Sequence, residues 1–551
     1  MKPDNGSTEI STRKQERVQS LENDLKSIEQ PVFDNQYDLF LELYLIANRY
    51  ETLFADYIHQ YKINTAFKDA YILREIFGSP LSRMSSLETE SEPPSFTDES
   101  SPDDATKDET ASIFDLTSIN SDSLLMDIEE LITFRKLAKW RHMLLKYKEH
   151  LAFVVFLILY LMDETYGSYN KLALKSAVPK DETVLVKPLN TLRQNAYCLY
   201  HTSAYNNYNY RLNNRPAAYR GSSLKVLLAN FNIVELTSDY EIELRLTSDY
   251  DLKKLGKLRD NENVHIGFSH LASGKFYTSY NKSNQFFITG LSDSDHAKNR
   301  LFRTLDAMDQ DKVDIAIFPE MTCTNALKEA VLNEKVLSLR HIKLIVFGSI
   351  WENRENKSTV ITGSGIELYS QSKLNAFHRA LDFTSEGCTE GLDLANLPRT
   401  IKLLEIPGFG RISNIICVDY LIDEIRNICL SMGVDFFFSP LFTGKIDLFE
   451  SRAKAMAKEF GTMSVLANVC AYRIADGYAT TGLACSPVLR SHAAPASASA
   501  DDFAYFEANN CFNRCGRTDT PKEQYICQHD VCYQILKFSK KAVQFDQFWQ
   551  P

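Results

Sequence analysis

The sequence predicts a layered α/β fold with an additional α-helical region ahead of it. Three observations carry this. Short apolar, β-branched runs recur at residues 313–318, 345–348, 410–416 and 464–469. Helical segments separate them at 299–308, at 423–432 (which Gly433 ends) and at 451–460. Upstream, Phe40, Leu43, Ile46, Tyr50, Leu53, Phe54, Tyr57 and Tyr61 recur at helical spacing and mark an amphipathic helix over about 37–61.

A length of 551 residues allows several domains. A hydrophobic content of 44% with 24% charged residues is that of a globular chain able to bury a core. The net charge of -11 gives no overall drive toward nucleic acid or an anionic membrane. Residues 1–30 are polar, so no export signal is expected. The most apolar run, 151–162, is too short for a membrane span and is expected to be a buried helix. Eleven dispersed cysteines are then expected to be reduced thiols in a cytoplasmic protein.

Composition divides the chain into five parts. Residues 1–83 form the helical N-terminal region. Residues 84–122 are acidic and rich in Ser and Thr, with Lys107 the only basic residue between Glu88 and Glu109, and are expected to be a disordered linker. Residues 123–220 combine helix with a connector crowded with Tyr and Asn. The basic residues there, Arg135, Lys136, Lys139, Arg141, Lys146 and Lys148, read as a solvated face before a nucleic-acid or protein contact. Residues 221–490 hold the α/β alternation, with 224–232 as its first strand and 235–295 as an insertion. Residues 491–551 form an extension containing Cys511, Cys515, Cys527 and Cys532. Their spacing is not Cys-X-X-Cys, so loose thiols are expected rather than a zinc site.

Cys417 stands where the apolar run from Gly410 ends. A lone cysteine there is usually structural. Two other residues change its meaning. Glu320 ends the run Phe318-Pro319-Glu320, and Lys373 ends the segment from Ile366. A carboxylate, an amine and a thiol in this order, with Cys417-Val418-Asp419, the glycine strand 345–348 and the stretch 433–440, resemble the nitrilase superfamily of carbon–nitrogen hydrolases. The resemblance covers about residues 221–490.

That resemblance implies a four-layer α-β-β-α sandwich and a Glu-Lys-Cys triad. Glu320 would take the proton from Cys417. The Lys373 ammonium and the Val418 N–H would steady an oxyanion. A second glutamate is common in the loop after the lysine; Glu386 is the favoured candidate and Glu390 the alternative. The implied reaction is amidase-type cleavage of a non-peptide amide or nitrile through a cysteine thioester, with no metal and no organic cofactor. It also implies a homodimer or higher oligomer. Ile422, Ile425, Leu441, Phe442, Leu448 and Phe449 offer more apolar surface than a closing loop needs. A second function class stays open: a nitrilase-like binding or oligomerisation module in a larger assembly, such as a bacterial defence system, with its N-terminal helices on a protein or nucleic acid.

Overall fold

The computed structural model describes residues 15–25, 36–50, 53, 146–147, 151–152, 154–159, 162–163, 180, 182–190, 197–201, 231–236, 239–271, 276–291, 293–379, 387–444, 446–469, 473–474, 477–478, 482–487, 503–507, 531–539 and 544–548. The chain divides into two compact units, residues 1–163 with 221–228 and residues 164–220 with 229–551. The boundary at 163 falls inside the region that composition assigns to 123–220. The linker 84–122, the basic segment up to Arg141 and Cys511, Cys515 and Cys527 lie outside the described residues.

In the first unit, residues 15–25 and Gln36–Arg49 are helical. Leu39, Phe40, Leu43, Ile46 and Ala47 are buried at the spacing that the sequence shows. Asp24 joins the two segments, meeting Arg49 at 3.1 Å and the Tyr50 hydroxyl at 2.9 Å. Among the described residues no helix is long and apolar enough to cross a membrane.

The second unit is a mixed α/β structure with two eight-stranded sheets. In spatial order the first holds Val184–Val186, Glu241–Leu246, Thr400–Ile406, Gly410–Ser413, Phe436–Leu441, Met463–Asn468, Gly482–Pro487 and Phe503–Glu507. The second holds Ile350–Glu352, Glu355–Thr362, Leu344–Val346, Ile315–Ile317, Asn263–Ser269, Tyr533–Ser539 and Gln544–Phe548, with Glu367–Ser372 pairing on Glu355–Thr362.

The two-residue period of a strand sorts the side chains between three clusters. Phe436 and Phe438 join Ile315, Ile317, Leu344 and Val346 in a core shared by both sheets. Phe437 faces the other way, among Ile425, Ile428, Phe449 and Met456 of helices Asp423–Ser431 and Asp447–Phe460. Ala316 and Ile345 likewise turn toward Leu301, Leu305 and Met308 of helix Ser294–Gln310. Strands buried on both faces read as unbroken apolar runs, which is why these were visible in the sequence.

Two expectations need correction. Ile315–Ile317 lies between two parallel neighbours, Leu344–Val346 and Asn263–Ser269, so a central strand lies inside the supposed insertion 235–295. Phe231–Glu235 instead pairs with Tyr197–His201 in a separate two-stranded ribbon. The supposed C-terminal extension is also woven in. Tyr533–Ser539 pairs antiparallel along the whole of Asn263–Ser269, and Phe503–Glu507 pairs with Gly482–Pro487 in the first sheet.

Candidate active site

Three chain segments end at one place. Ile315–Ile317 runs into the Phe318-Pro319-Glu320 turn, and Met321 after it adopts a left-handed φ of 60°. The Met321 N–H is held by the Ser349 hydroxyl at 3.0 Å. Glu367–Ser372 delivers Lys373, whose backbone N–H donates to the Asn356 carbonyl at 2.7 Å. Gly410–Ser413 leads to Cys417, which opens the short helix Cys417–Leu421 with a φ of 46°. A non-glycine residue held there is strained, and strain of this kind clusters at functional sites.

Glu320, Lys373, Glu390 and Cys417 are all buried. The Lys373 ammonium donates to Glu320 Oε1 at 2.8 Å and to Glu390 Oε2 at 2.7 Å. An ammonium has three N–H groups, so a third is left over. The Cys417 thiol is hydrogen-bonded to the Glu320 carboxylate and takes a backbone N–H from Phe442. Val418 follows in the first turn of a helix, where N–H groups lack an internal partner.

Glu390 is the second glutamate that the geometry provides. Glu386 lies outside the described residues. Strand Cys388–Glu390 is pinned by parallel pairing to Gln285–Leu291, which aims Glu390 at the cluster. Its Oε1 accepts from the Trp351 indole at 3.1 Å and from Asn356 Nδ2 at 3.0 Å. Its Oε2 also accepts the Phe377 N–H at 3.0 Å.

Asn356 and Trp351 were not singled out from sequence. They sit opposite each other across a tight hairpin. Asn356 Nδ2 also donates to Glu320 Oε1 at 2.9 Å, so one amide bridges both carboxylates. Asp419 was seen only as part of Cys-Val-Asp. Its carboxylate takes the Leu374 N–H at 2.7 Å and the Asn375 amide at 2.8 Å, tying the segment after Lys373 to the turn of Cys417.

The electrostatics follow from burial and contact. Burial raises the Glu320 carboxyl, the Lys373 ammonium opposes it, and Glu390 adds to it, so the net shift is upward. Burial also raises Glu390, but there Lys373, Phe377 and Asn356 outweigh it and the net shift is downward. Burial opposes charge on Lys373, yet Glu320, Glu390 and Cys417 hold its pKa well above the usual amine range. Burial and then Glu320 push the Cys417 thiol well up, against Lys373. The resting arrangement is a protonated thiol beside Glu320, with a charged amine anchored by the Glu390 carboxylate.

No family model matches the sequence, and no curated protein does. Solved structures of the nitrilase superfamily are similar to this one. An amidase from Nesterenkonia AN1, in a cysteine-to-alanine mutant form, aligns at 14% identity and a TM-score of 0.28, over 40% of this chain and 82% of that one. The NitFhit protein of C. elegans aligns at 15% and 0.29, over 45% and 61%. Saccharomyces cerevisiae Nit3 aligns at 13% and 0.29, over 47% and 96%.

Proposed function

We propose that the second unit is a carbon–nitrogen hydrolase that cleaves a non-peptide amide or nitrile through a thioester on Cys417. One observation carries this reading: Lys373 bridges Glu320 and Glu390 while the thiol of Cys417 rests on Glu320. As sulfur attacks an amide carbonyl carbon, Glu320 accepts the thiol proton. The developing oxyanion takes the remaining Lys373 N–H and the Val418 N–H. Glu320 returns the proton to the departing nitrogen as the carbon–nitrogen bond breaks. Water then adds to the thioester with Glu320 again as base, releasing the acid and restoring the thiol. Glu390 does not react; it holds Lys373 charged and in place. The three side-chain clusters, two between helices and sheet and one between sheets, support reading the fold as a four-layer sandwich.

The test is ammonia release from a panel of amides, with the acyl-enzyme trapped by acid and located by mass spectrometry. A thioester on Cys417 is expected, and Cys417→Ala should form none. If an electrophilic thiol reagent never labels Cys417 faster than the buried Cys429, the activated nucleophile is lost and the reading with it.

A further inference from the structure

Beside the Glu390 end of the cluster stands a small four-stranded sheet, in the order His378–Arg379, Cys388–Glu390, Gln285–Leu291 and Phe276–Tyr280. Its hairpin 276–291 meets the site at two points. The Phe287 ring presses on the residue after Glu390: a Cβ on Gly391 would fall 2.2 Å from its edge. Phe287 also packs edge-on against Trp351, centroids 5.9 Å apart, and the Trp351 indole is the one bonded to Glu390. Both rings are only half-buried, so they carry the apolar edge of the cluster out to solvent.

Arg354 completes the arrangement. Its guanidinium lies 5.7 Å from the centre of the Phe287 ring. It sits in the two-residue turn between Ile350–Glu352 and Glu355–Thr362, where Asn353 has φ 51° and Arg354 φ 63°. Such turns favour Asn and Gly; an arginine in the second position is set there at a cost in strain. The guanidinium is exposed and makes no ion pair among the described residues. The hairpin 276–291 contains Lys282 and no carboxylate, in a chain whose net charge is -11.

We propose that Phe287, Trp351 and Arg354 form the recognition wall of the site and select a flat aromatic amide that carries a carboxylate. The inference rests on the hydrolase reading above for its reaction but not for its binding. The rings receive the aromatic face, and the guanidinium offers paired N–H donors to the carboxylate. With its ring against the open sides of Phe287 and Trp351 and its carboxylate on the outer edge of Arg354, such a ligand would turn its amide end toward Glu390 and the cluster behind it.

The experiment compares 4-carbamoylbenzoate, benzamide and acetamide in two ways. Turnover is followed by ammonia release from the full chain. Binding is followed by calorimetry on Cys417→Ser, which cannot form the thioester. The expected order of kcat/KM is 4-carbamoylbenzoate, then benzamide, then acetamide, with the first step at least about tenfold, the scale of one charge-assisted hydrogen bond. Arg354→Ala should bring the first ratio close to one, Arg354→Lys should restore part of it, and Phe287→Ala should narrow the second. On Cys417→Ser, adding Arg354→Ala should weaken 4-carbamoylbenzoate by a similar factor. Equal binding of the carboxylated and plain amides, an unchanged ratio in Arg354→Ala, or no binding of either aromatic amide overturns the inference. Acetamide turnover would still stand for the hydrolase reading in that case. Selective binding without ammonia release from any amide leaves the wall in place and removes the hydrolase.

Discussion

The Asn356 amide serves two carboxylates at once, and its removal leaves both Glu320 and Glu390 one donor short. A donor to a carboxylate favours the ionised form, so its loss raises both pKa values. Asn356→Ala is therefore expected to move the acidic limb of Cys417 labelling to higher pH and to slow turnover by about 10- to 100-fold, the range for hydrogen bonds to charged groups. A pH–rate profile with an unmoved acidic limb would leave Asn356 merely structural. Glu320→Gln removes the proton acceptor itself and should cost about 10²- to 10⁴-fold in the labelling rate of Cys417. Glu320, Lys373 and Cys417 could be picked out of the sequence as candidates because each closes a recognisable run, and the structure brings the three side chains together. Asn356 and Trp351 were not, since their contacts arise only from pairing across a hairpin. The choice between Glu386 and Glu390 was hidden for a related reason: strand pairing, rather than a spacing such as that from Phe383 to Glu386, is what brings the Glu390 carboxylate to the amine.

At the scale of elements, the turn that carries Glu320 depends on Gly348. A Cβ there would lie 1.9 Å from the Pro319 carbonyl oxygen and 2.1 Å from Thr322 Oγ1. Backbone cannot yield as a flexible side chain can, so Gly348→Ala should displace the Glu320 turn. Loss of thiol labelling, with a lower melting temperature, is the expected result; an unaffected labelling rate would show that the turn has slack. The turn after Cys417 carries a pH dependence of its own. Burial raises the Asp419 carboxyl to about 7, against the N–H groups of Leu374 and Asn375 and the charge of Lys373. A folded pKa above the unfolded value means the folded state holds the proton more tightly. Its contribution is complete below the ordinary value of 3.8 and is lost as pH rises through about 7. The melting temperature should therefore fall between pH 5 and 8, and Asp419→Asn should flatten that slope whatever its baseline. Strand Asn263–Ser269 shows why part of the fold escaped the sequence. Its apolar residues Val264, Ile266 and Phe268 alternate with Asn263, His265 and Gly267, the pattern of a half-exposed strand. Gly267 replaces an apolar side chain because Val313 would stand 3.0 Å from a Cβ there. Close approach of the layers, which no local pattern records, is what hid a central strand.

For the whole molecule, the apolar set expected to support a dimer is divided between core and surface. Ile425, Leu441 and Phe449 are buried in the second unit's own core, Ile422 and Phe442 are half-buried, and Leu448 is 63% exposed. Leu448→Glu is accordingly expected to leave the mass in solution unchanged across a dilution series measured by light scattering; a fall in mass would restore that patch as an interface. Strand Tyr533–Ser539 is a different matter. Phe538 packs edge-on against Phe436 at 5.0 Å and Phe409 at 6.4 Å, between the two sheets. Deleting residues 531–551 should abolish cooperative thermal unfolding, the reverse of what a loose extension would do. The same strand sets a clock on the chain's birth. Ser269 bonds to the carbonyl of Cys532, 263 positions later. At about 5–20 residues per second, a ribosome spends roughly a quarter to most of a minute between them. Throughout that interval Val264, Ile266 and Phe268 wait with one strand edge unpaired, and the nascent chain is in its most adhesive state. Nascent chains stalled short of residue 531 should therefore be more protease-sensitive than the released chain, in which Tyr533–Ser539 fills that edge, and their demand on chaperones should grow with the time the second sheet waits to be filled.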